Sequence, residues 1–293
     1  KDQVDRYLDA MIKELKATAK LMQGKTLDTV YIGGGTPTTL EADQLDRLLG
    51  TIRENFDLEH VLEFTVEAGR PDSITREKLE VIRKYPVTRI SVNPQTMQQK
   101  TLDLVGRKHT VEDVEQIFHL ARELGFDNIN MDLIAGLPGE DAADMQDTLE
   151  KIEKLHPNSL TVHALAIKRA AKFGQEGRTM DPGTEITQMV EAAAASAERM
   201  GLVPYYLYRQ KNIAGNFENV GYAEQDKAGV YNILIMEEKQ AILACGAGAS
   251  TKRVWNLPDG YHIERCENVK DIKQYIARID EMIERKKALF EKD

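Results

Sequence analysis

The chain predicts an α/β fold built on parallel strands, and three observations carry that prediction. Short apolar, β-rich runs alternate five times with helical stretches, the connections between them are brief, and several runs end on glycine or a polar residue. At 293 residues and 42% hydrophobic composition, there is ample material for a sizeable core. The alternation fits a doubly wound sheet or a (β/α) barrel, and periodicity does not choose between them. In both, chemistry gathers at the C-terminal ends of the strands.

The elements follow in order. Val4, Leu8, Met11, Ile12 and Leu15 recur at helical spacing, which predicts an amphipathic helix from Gln3 to Met22 ended by Gly24. Leu27 to Ile32 reads as a strand, and Asp43 to Asn55 as a helix through Leu45, Leu48, Leu49 and Ile52. Val61 to Val66 is a strand, Thr75 to Tyr85 a helix and Val87 to Val92 a strand. Val111 to Leu124 is a helix opened by Thr110, with Asp113 placed to reach back as in a capping box. Asn128 to Ile134 is a strand, Met145 to Leu155 a helix and Ser159 to Leu165 a strand. After about Ile167 the pattern breaks into a polar, Gly-containing segment. An Ala-rich helix then runs from Ile186 to Met200, followed by the aromatic strand PYYLYRQ, a Gly/Asn-rich loop and the run YNILIMEEKQAILACGAGAST. A strongly charged helix, Val269 to Lys292, closes the chain.

Net charge is −9, so no general attraction to nucleic acid or an anionic membrane is expected. An acidic substrate would need a local basic pocket. No run approaches a membrane span, and the start lacks the apolar core of a signal peptide, which makes the cytoplasm the expected location. Cys245 and Cys266 form neither a disulfide framework nor a CxxC-type metal loop; each reads first as a small apolar residue or an incidental thiol. The chain opens on Lys1 inside a helical pattern, as expected of a piece cut upstream.

Read in order, the strand ends give GGGTPT at 33–38, then Glu67, Gln95, Arg107 in VGRKHT, and Asp132. Consecutive glycines after a strand expose backbone N–H and C=O groups to a ligand. GGGTPT has neither the dinucleotide GxGxxG spacing nor the GK[ST] of a phosphate loop. Glu67 and Asp132 follow apolar strands, where a carboxylate is costly unless paired or bound to a polar ligand, though each also reads as a salt-bridge or capping residue. Gln95 offers both a donor and an acceptor, suited to a ribose diol or an amide, and Arg107 can clamp a carboxylate or simply lie exposed. Together the set points to a ligand with an amino acid and a sugar.

These residues sit in YIGGGTPTTL, RISVNPQTM, VGRKHT and INMDLIAGLPGE, with Glu67 at a strand end, and in that order the sequence resembles radical S-adenosylmethionine (SAM) proteins of the oxygen-independent coproporphyrinogen III oxidase family. EAGRPDSIT and SVNPQTM look most like its HemZ-type branch, known as coproporphyrinogen dehydrogenase. The resemblance is strong from Tyr31 to about Leu165 and looser through the tyrosine-rich strand and CGAGAST. It implies a partial (β/α) barrel lacking its first strand over residues 1–167, then an α+β extension over residues 168–293. It also implies that Gly34, Gly35 and Thr36 hold the methionine part of SAM, that Glu67 and Arg107 bind its amino acid end, and that Gln95 and Asp132 bond the ribose. Leu165 and the loop Ala247 to Ser250 would lie against adenine or substrate.

The implied chemistry is radical decarboxylation of two propionates of coproporphyrinogen III to give protoporphyrinogen IX in haem biosynthesis, with an electron donor and acceptor as partners. Lys168, Arg169, Arg209 and Lys211 are candidates for propionate contacts, and the Tyr205, Tyr206, Tyr208 stripe could line a porphyrin pocket or pack in the core. Relatives that act as haem chaperones give the alternative reading, and a barrel binding some other small ligand a third. The sequence departs from the family in three places. The CxxxCxxC loop for a [4Fe–4S] cluster is absent and is expected upstream of Lys1, so this piece is expected to be inactive alone. EAGRP replaces the usual Glu-x-Asp-Pro, and Asn93-Pro94-Gln95 the usual Gly-Val-Gln.

Overall fold

In a computed structural model, which describes residues 2–165, 182–209, 218–258 and 260–292, the early apolar runs become neighbouring strands of one seven-stranded sheet. The strands are β1 (Thr29–Ile32), β2 (Glu63–Gly69), β3 (Arg89–Gln95), β4 (Ile129–Ala135), β5 (Ser159–Ala164), β6 (Val203–Arg209) and β7 (Glu218–Ala223). Their order is β1-β2-β3-β4-β5-β7-β6. From β2 to β5 the pairing is parallel, while β7 runs antiparallel to both β5 and β6. The sheet curls into a half-barrel, which decides the question that periodicity left open.

Two compact units divide the chain: residues 1–30, 40–62 and 230–293 form one, and residues 31–39 and 63–229 the other. The second unit holds most of the sheet and the helices α3 (Arg76–Arg83), α4 (Gln99–Leu104), α5 (Val111–Glu123), α6 (Ala142–Leu155) and α7 (Pro182–Arg199). Strand side chains alternate between two faces. Phe64, Val66, Ile90, Val92, Ile129, Met131, Leu133, Leu160 and Val162 make one face, buried with Leu79, Ile82, Val114, Phe118, Leu149 and Ile152 of the helices. The other face carries Glu63, Thr65 and Glu67 on β2, Arg89, Ser91 and Asn93 on β3, Asn130 and Asp132 on β4, and Ser159, Thr161 and His163 on β5. A polar sheet face of this length is what an internal polar ligand site requires.

The local signals hold where they rest on caps. Thr110 accepts from Asp113 N–H at 3.1 Å while Asp113 accepts from Thr110 N–H at 2.8 Å, so the predicted capping box opens α5. The helix expected over Thr75 to Tyr85 has Thr75 as its N-cap and ends at Arg83. Helix α4 goes unpredicted because six residues are too few to establish a period.

The first unit contains α1 (Asp2–Leu21), α2 (Ala42–Asn55), α8 (Val230–Glu237), the hairpin β8 (Ser250–Leu257) and β9 (Gly260–Glu267), α9 (Ile272–Ala277) and α10 (Ile279–Phe290). Here the expected final helix is two helices, broken at Arg278, whose ψ of 25° leaves the helical region. Ala10, Tyr275, Ile279, Met282 and Ile283 form the core of this unit, with Tyr7, Ala17 and Val269 against it. Within it, buried Glu14 accepts from Gly246 N–H at 2.9 Å, Asn268 Nδ2 at 2.7 Å and Tyr275 Oη at 2.5 Å, and pairs with Lys286. No described helix is long and apolar enough to cross a membrane.

Candidate functional site

The turn after β1 is shaped by what lies beside it. A Cβ on Gly33 would fall 2.6 Å from the Tyr31 ring and 2.7 Å from the Glu67 carboxyl group, so the backbone passes Glu67 only because Gly33 has no side chain. Gly34 takes φ 97°, a conformation L side chains rarely adopt, and its N–H donates to Glu67 Oε2 at 3.3 Å. A Cβ on Gly34 or Gly35 would meet nothing within 4 Å, which leaves an open, exposed stretch of backbone. Thr36 packs its methyl group towards Gly69, where a Cβ would lie 3.1 Å from it.

Glu67 stands at the end of β2, half-buried, with Tyr31 Oη donating to its Oε1. Burial raises the Glu67 carboxyl above its ordinary value and the nearby Asp132 charge adds to this, against the lowering effect of the Tyr31 and Gly34 hydrogen bonds. Burial and the Glu67 charge together hold the Tyr31 hydroxyl firmly protonated. Asp132, on β4, accepts from Asn130 Nδ2 at 2.6 Å through Oδ1, while Oδ2 lies 3.9 Å from His163 Nε2. Burial alone would lower the His163 imidazole, but Asp132, Asn219 and Glu67 outweigh it and raise it above the ordinary histidine value. The Asp132 charge acts on Glu67, Tyr31, His163 and Tyr206, which puts all of them in one space.

Deeper on the same face, Arg89 Nη2 donates to Ser159 Oγ at 3.2 Å, and Ser159 and Thr161 donate to Asn130 Oδ1 at 3.0 and 3.1 Å. Arg89 Nε, Ser91 Oγ and Asn93 Oδ1 are buried without a hydrogen-bond partner among the described residues. Three such atoms in a column along one strand are unusual in a folded interior.

The sequence-derived set is thus only partly gathered. Gly34, Glu67 and Asp132 come together. Gln95 ends β3 with φ 68° at a break in register with β4, where Val92 pairs with Met131 and Gln95 with Leu133. Arg107 keeps different company: burial and the Arg70 charge lower its guanidinium while Asp72 opposes them. Arg70 holds Asp72 through two hydrogen bonds at 3.1 and 2.8 Å, and buried His109 lies 3.8 Å from Asp72. No described interaction joins Arg107 to Glu67. The loop Ala247 to Ser250 belongs to the first unit, where Ala247 N–H donates to Tyr7 Oη at 3.1 Å. Tyr205 and Tyr206 stack edge to face at 4.9 Å, and Tyr208 is exposed. Lys168, Arg169, Lys211 and the side chain of Arg209 lie outside the described residues.

The sequence motifs do not mark Tyr31, Arg89 or His163 as site residues. The period-2 pattern of Arg89-Ile-Ser-Val-Asn93 and Thr161-Val-His163 carries the signal, since it puts Arg89 on the Ser91 face and His163 on the Thr161 face.

Comparison with known proteins places this geometry. Residues 4–152 match the Radical SAM superfamily. The oxygen-independent coproporphyrinogen-III oxidase-like protein HemZ of Bacillus subtilis is 47% identical over 90% of this chain and 54% of its own length. Heme chaperone HemW of Bacillus subtilis is 31% identical over 95% of this chain and 69% of its own. The structure of coproporphyrinogen III oxidase (HemN) from Escherichia coli, a radical SAM enzyme, superposes with TM-score 0.72 at 24% identity, covering 95% of this chain and 63% of that one. The chain therefore spans about half the length of its HemZ relative and under two thirds of the HemN structure. With the superfamily match, the HemW relative covered over two thirds and the shared half-barrel, the chain belongs to the radical SAM superfamily, in the group of HemN- and HemZ-like coproporphyrinogen oxidase proteins.

Proposed function

We propose that this chain is the SAM-binding part of a HemZ-like protein that removes two propionate carboxyl groups of coproporphyrinogen III oxidatively, giving protoporphyrinogen IX. The observation carrying the reading is the polar sheet face ending in Gly34, Glu67 and Asp132, on a chain 47% identical to HemZ. The open backbone at Gly34 and Gly35 and the unpartnered polar atoms of Arg89, Ser91 and Asn93 fit a polar ligand of SAM's size and character. When bound and given one electron by the donor, SAM would supply hydrogen-atom abstraction, as in this superfamily.

The chain's own contribution is binding and orientation. Gly34 and Gly35 offer backbone groups to the methionine end, with Thr36 packed beneath. Glu67 accepts from the amino group, and Arg107 neutralises the carboxylate once a ligand draws it towards the sheet. Gln95 and Asp132 bond the ribose hydroxyls. Lys168, Arg169, Arg209 and Lys211 are the proposed propionate contacts, and an electron donor and acceptor complete the partners. A [4Fe–4S] cluster does not fit: the described residues contain no group of three His, Cys, Asp or Glu able to hold a metal ion, and Cys245 lies beside Lys286 in the first unit.

Titration of the chain with S-adenosylhomocysteine tests the site. Glu67→Gln should weaken binding by about tenfold to a hundredfold, the worth of one charge-assisted hydrogen bond. Equal binding by wild type, Glu67→Gln and Asp132→Asn would sink the assignment. Coproporphyrin III binding tests the substrate class. The identity to HemW supports a second reading, a haem chaperone. Stoichiometric haem binding with transfer to an apo-acceptor, and no decarboxylation by a cluster-loaded longer protein, would favour it.

A further inference from the structure

His163 and Asp132 meet across neighbouring parallel strands: Ile134 is paired with His163, and Asp132 with Thr161. Asn130 fixes one half of the carboxylate. Its Oδ1 accepts from Ser159 and Thr161, so its Nδ2 must turn to Asp132 Oδ1. That leaves Asp132 Oδ2 as the oxygen facing His163 Nε2 at 3.9 Å, an ion-pair separation longer than a formed hydrogen bond. The side chains of Asp132 and His163 are 25% and 39% exposed, so an incoming ligand can reach both.

We infer that His163 is a positioning residue whose imidazolium aims the Asp132 carboxylate at the ribose hydroxyls of a bound adenosyl ligand, making adenosyl binding stronger on the acid side of neutrality. This rests on the reading of Asp132 as a ribose-binding group. Among the described residues, Glu67 from β2 and Asn219 from β7 act on His163, Asp132 acts on Glu67, Tyr31 from β1 and Tyr206 from β6, and Arg89 from β3 acts on Glu67 and both tyrosines. Tyr31 and Tyr206 stay neutral, so among the described residues two carboxylates share the space with one buried guanidinium and the imidazole. Protonated His163 supplies the second positive charge. As pH rises through its raised value that charge is lost, and the two carboxylates repel with less compensation.

The test uses S-adenosylhomocysteine, which keeps the nucleoside and lacks the sulfonium charge. In the wild-type chain its affinity should fall about tenfold between about pH 6 and about pH 8.5, the equivalent of one pKa unit gained by His163 on binding. By reciprocity, saturation with the ligand should raise the His163 titration point followed by NMR. His163→Gln and His163→Phe should bind with a flat pH profile, and Asp132→Asn should lower the His163 titration point. If wild type binds but its profile matches both His163 variants, or if Asp132→Asn leaves the His163 titration unmoved, the inference falls while the adenosyl site stands. Absence of binding by wild type at every pH would remove the site reading and the inference together.

Discussion

Lys286 Nζ lies 2.9 Å from Glu14 Oε1, with both side chains shut away from solvent, so an ion pair between the first and last helices sits inside the first unit. Burial alone would lower the Lys286 value, but Cys245 and Glu14 outweigh it and raise it above the ordinary lysine value. The ammonium also donates to Thr18 Oγ1 at 3.2 Å and the Ala244 carbonyl at 2.7 Å. Lys286→Met strands a buried carboxylate and should lower unfolding free energy by about 3–5 kcal/mol. Glu14→Gln keeps an acceptor for Gly246 and should cost less. Urea midpoints read both, and a Lys286→Met loss below about 1 kcal/mol would show that Glu14 is compensated elsewhere.

The three glycines should separate by mechanism. Gly33→Ala must displace Tyr31 or Glu67, and Gly34→Ala forces φ 97° on a side chain at a cost of about 1–3 kcal/mol. Gly35→Ala meets nothing within 4 Å, so stability should hold within about 0.5 kcal/mol while S-adenosylhomocysteine binding weakens. Equal loss of stability in all three, read by thermal melts, would contradict the assignment of roles.

Glu67 gives a pH signature opposite to that of a salt-bridged carboxylate. Its folded value is raised, chiefly by burial and then by Asp132, so the folded state binds more protons than the unfolded chain between the ordinary and the raised values. Its contribution to stability therefore declines as pH rises through that window. Tyr31→Phe removes a hydrogen bond that lowers the value and should move the titration upward. Carboxyl-carbon NMR checks the direction, and a downward move would mean that Tyr31 does not bond the ionised form.

Both thiols should be sluggish. Burial pushes Cys245 and Cys266 above the ordinary cysteine value, against a lowering by Lys286. Native protein should react slowly with a disulfide reagent near pH 8, and both thiols promptly once unfolded. A fast native phase that disappears in Cys245→Ser would show that Lys286 activates that thiol.

Much of this protein follows from local rules. Thr110 and Asp113 are close enough in sequence to bracket a helix start, and the apolar runs that became β1 to β5 needed no partner to be recognised. The positions of Gly34, Glu67, Gln95 and Asp132 are legible from the ends of the apolar runs, and their proposed roles follow from the rule that a parallel sheet puts chemistry there. What the sequence by itself determined is therefore the alternation of β1 to β5 with their helices and the type of residue at each strand end, whereas β7 lies in the segment read as a Gly/Asn-rich loop. The tertiary structure alone decided which of those residues meet. Sheet curvature and register bring His163 to Asp132 and Tyr31 to Glu67, while Arg107 sits with Arg70 and Asp72. Glu14 and Lys286 stand 272 positions apart, and only burial in a common core makes them partners. Caps and periods act over a few residues, whereas ion pairs and ligand sites join side chains whose separation in sequence sets no limit on their separation in space.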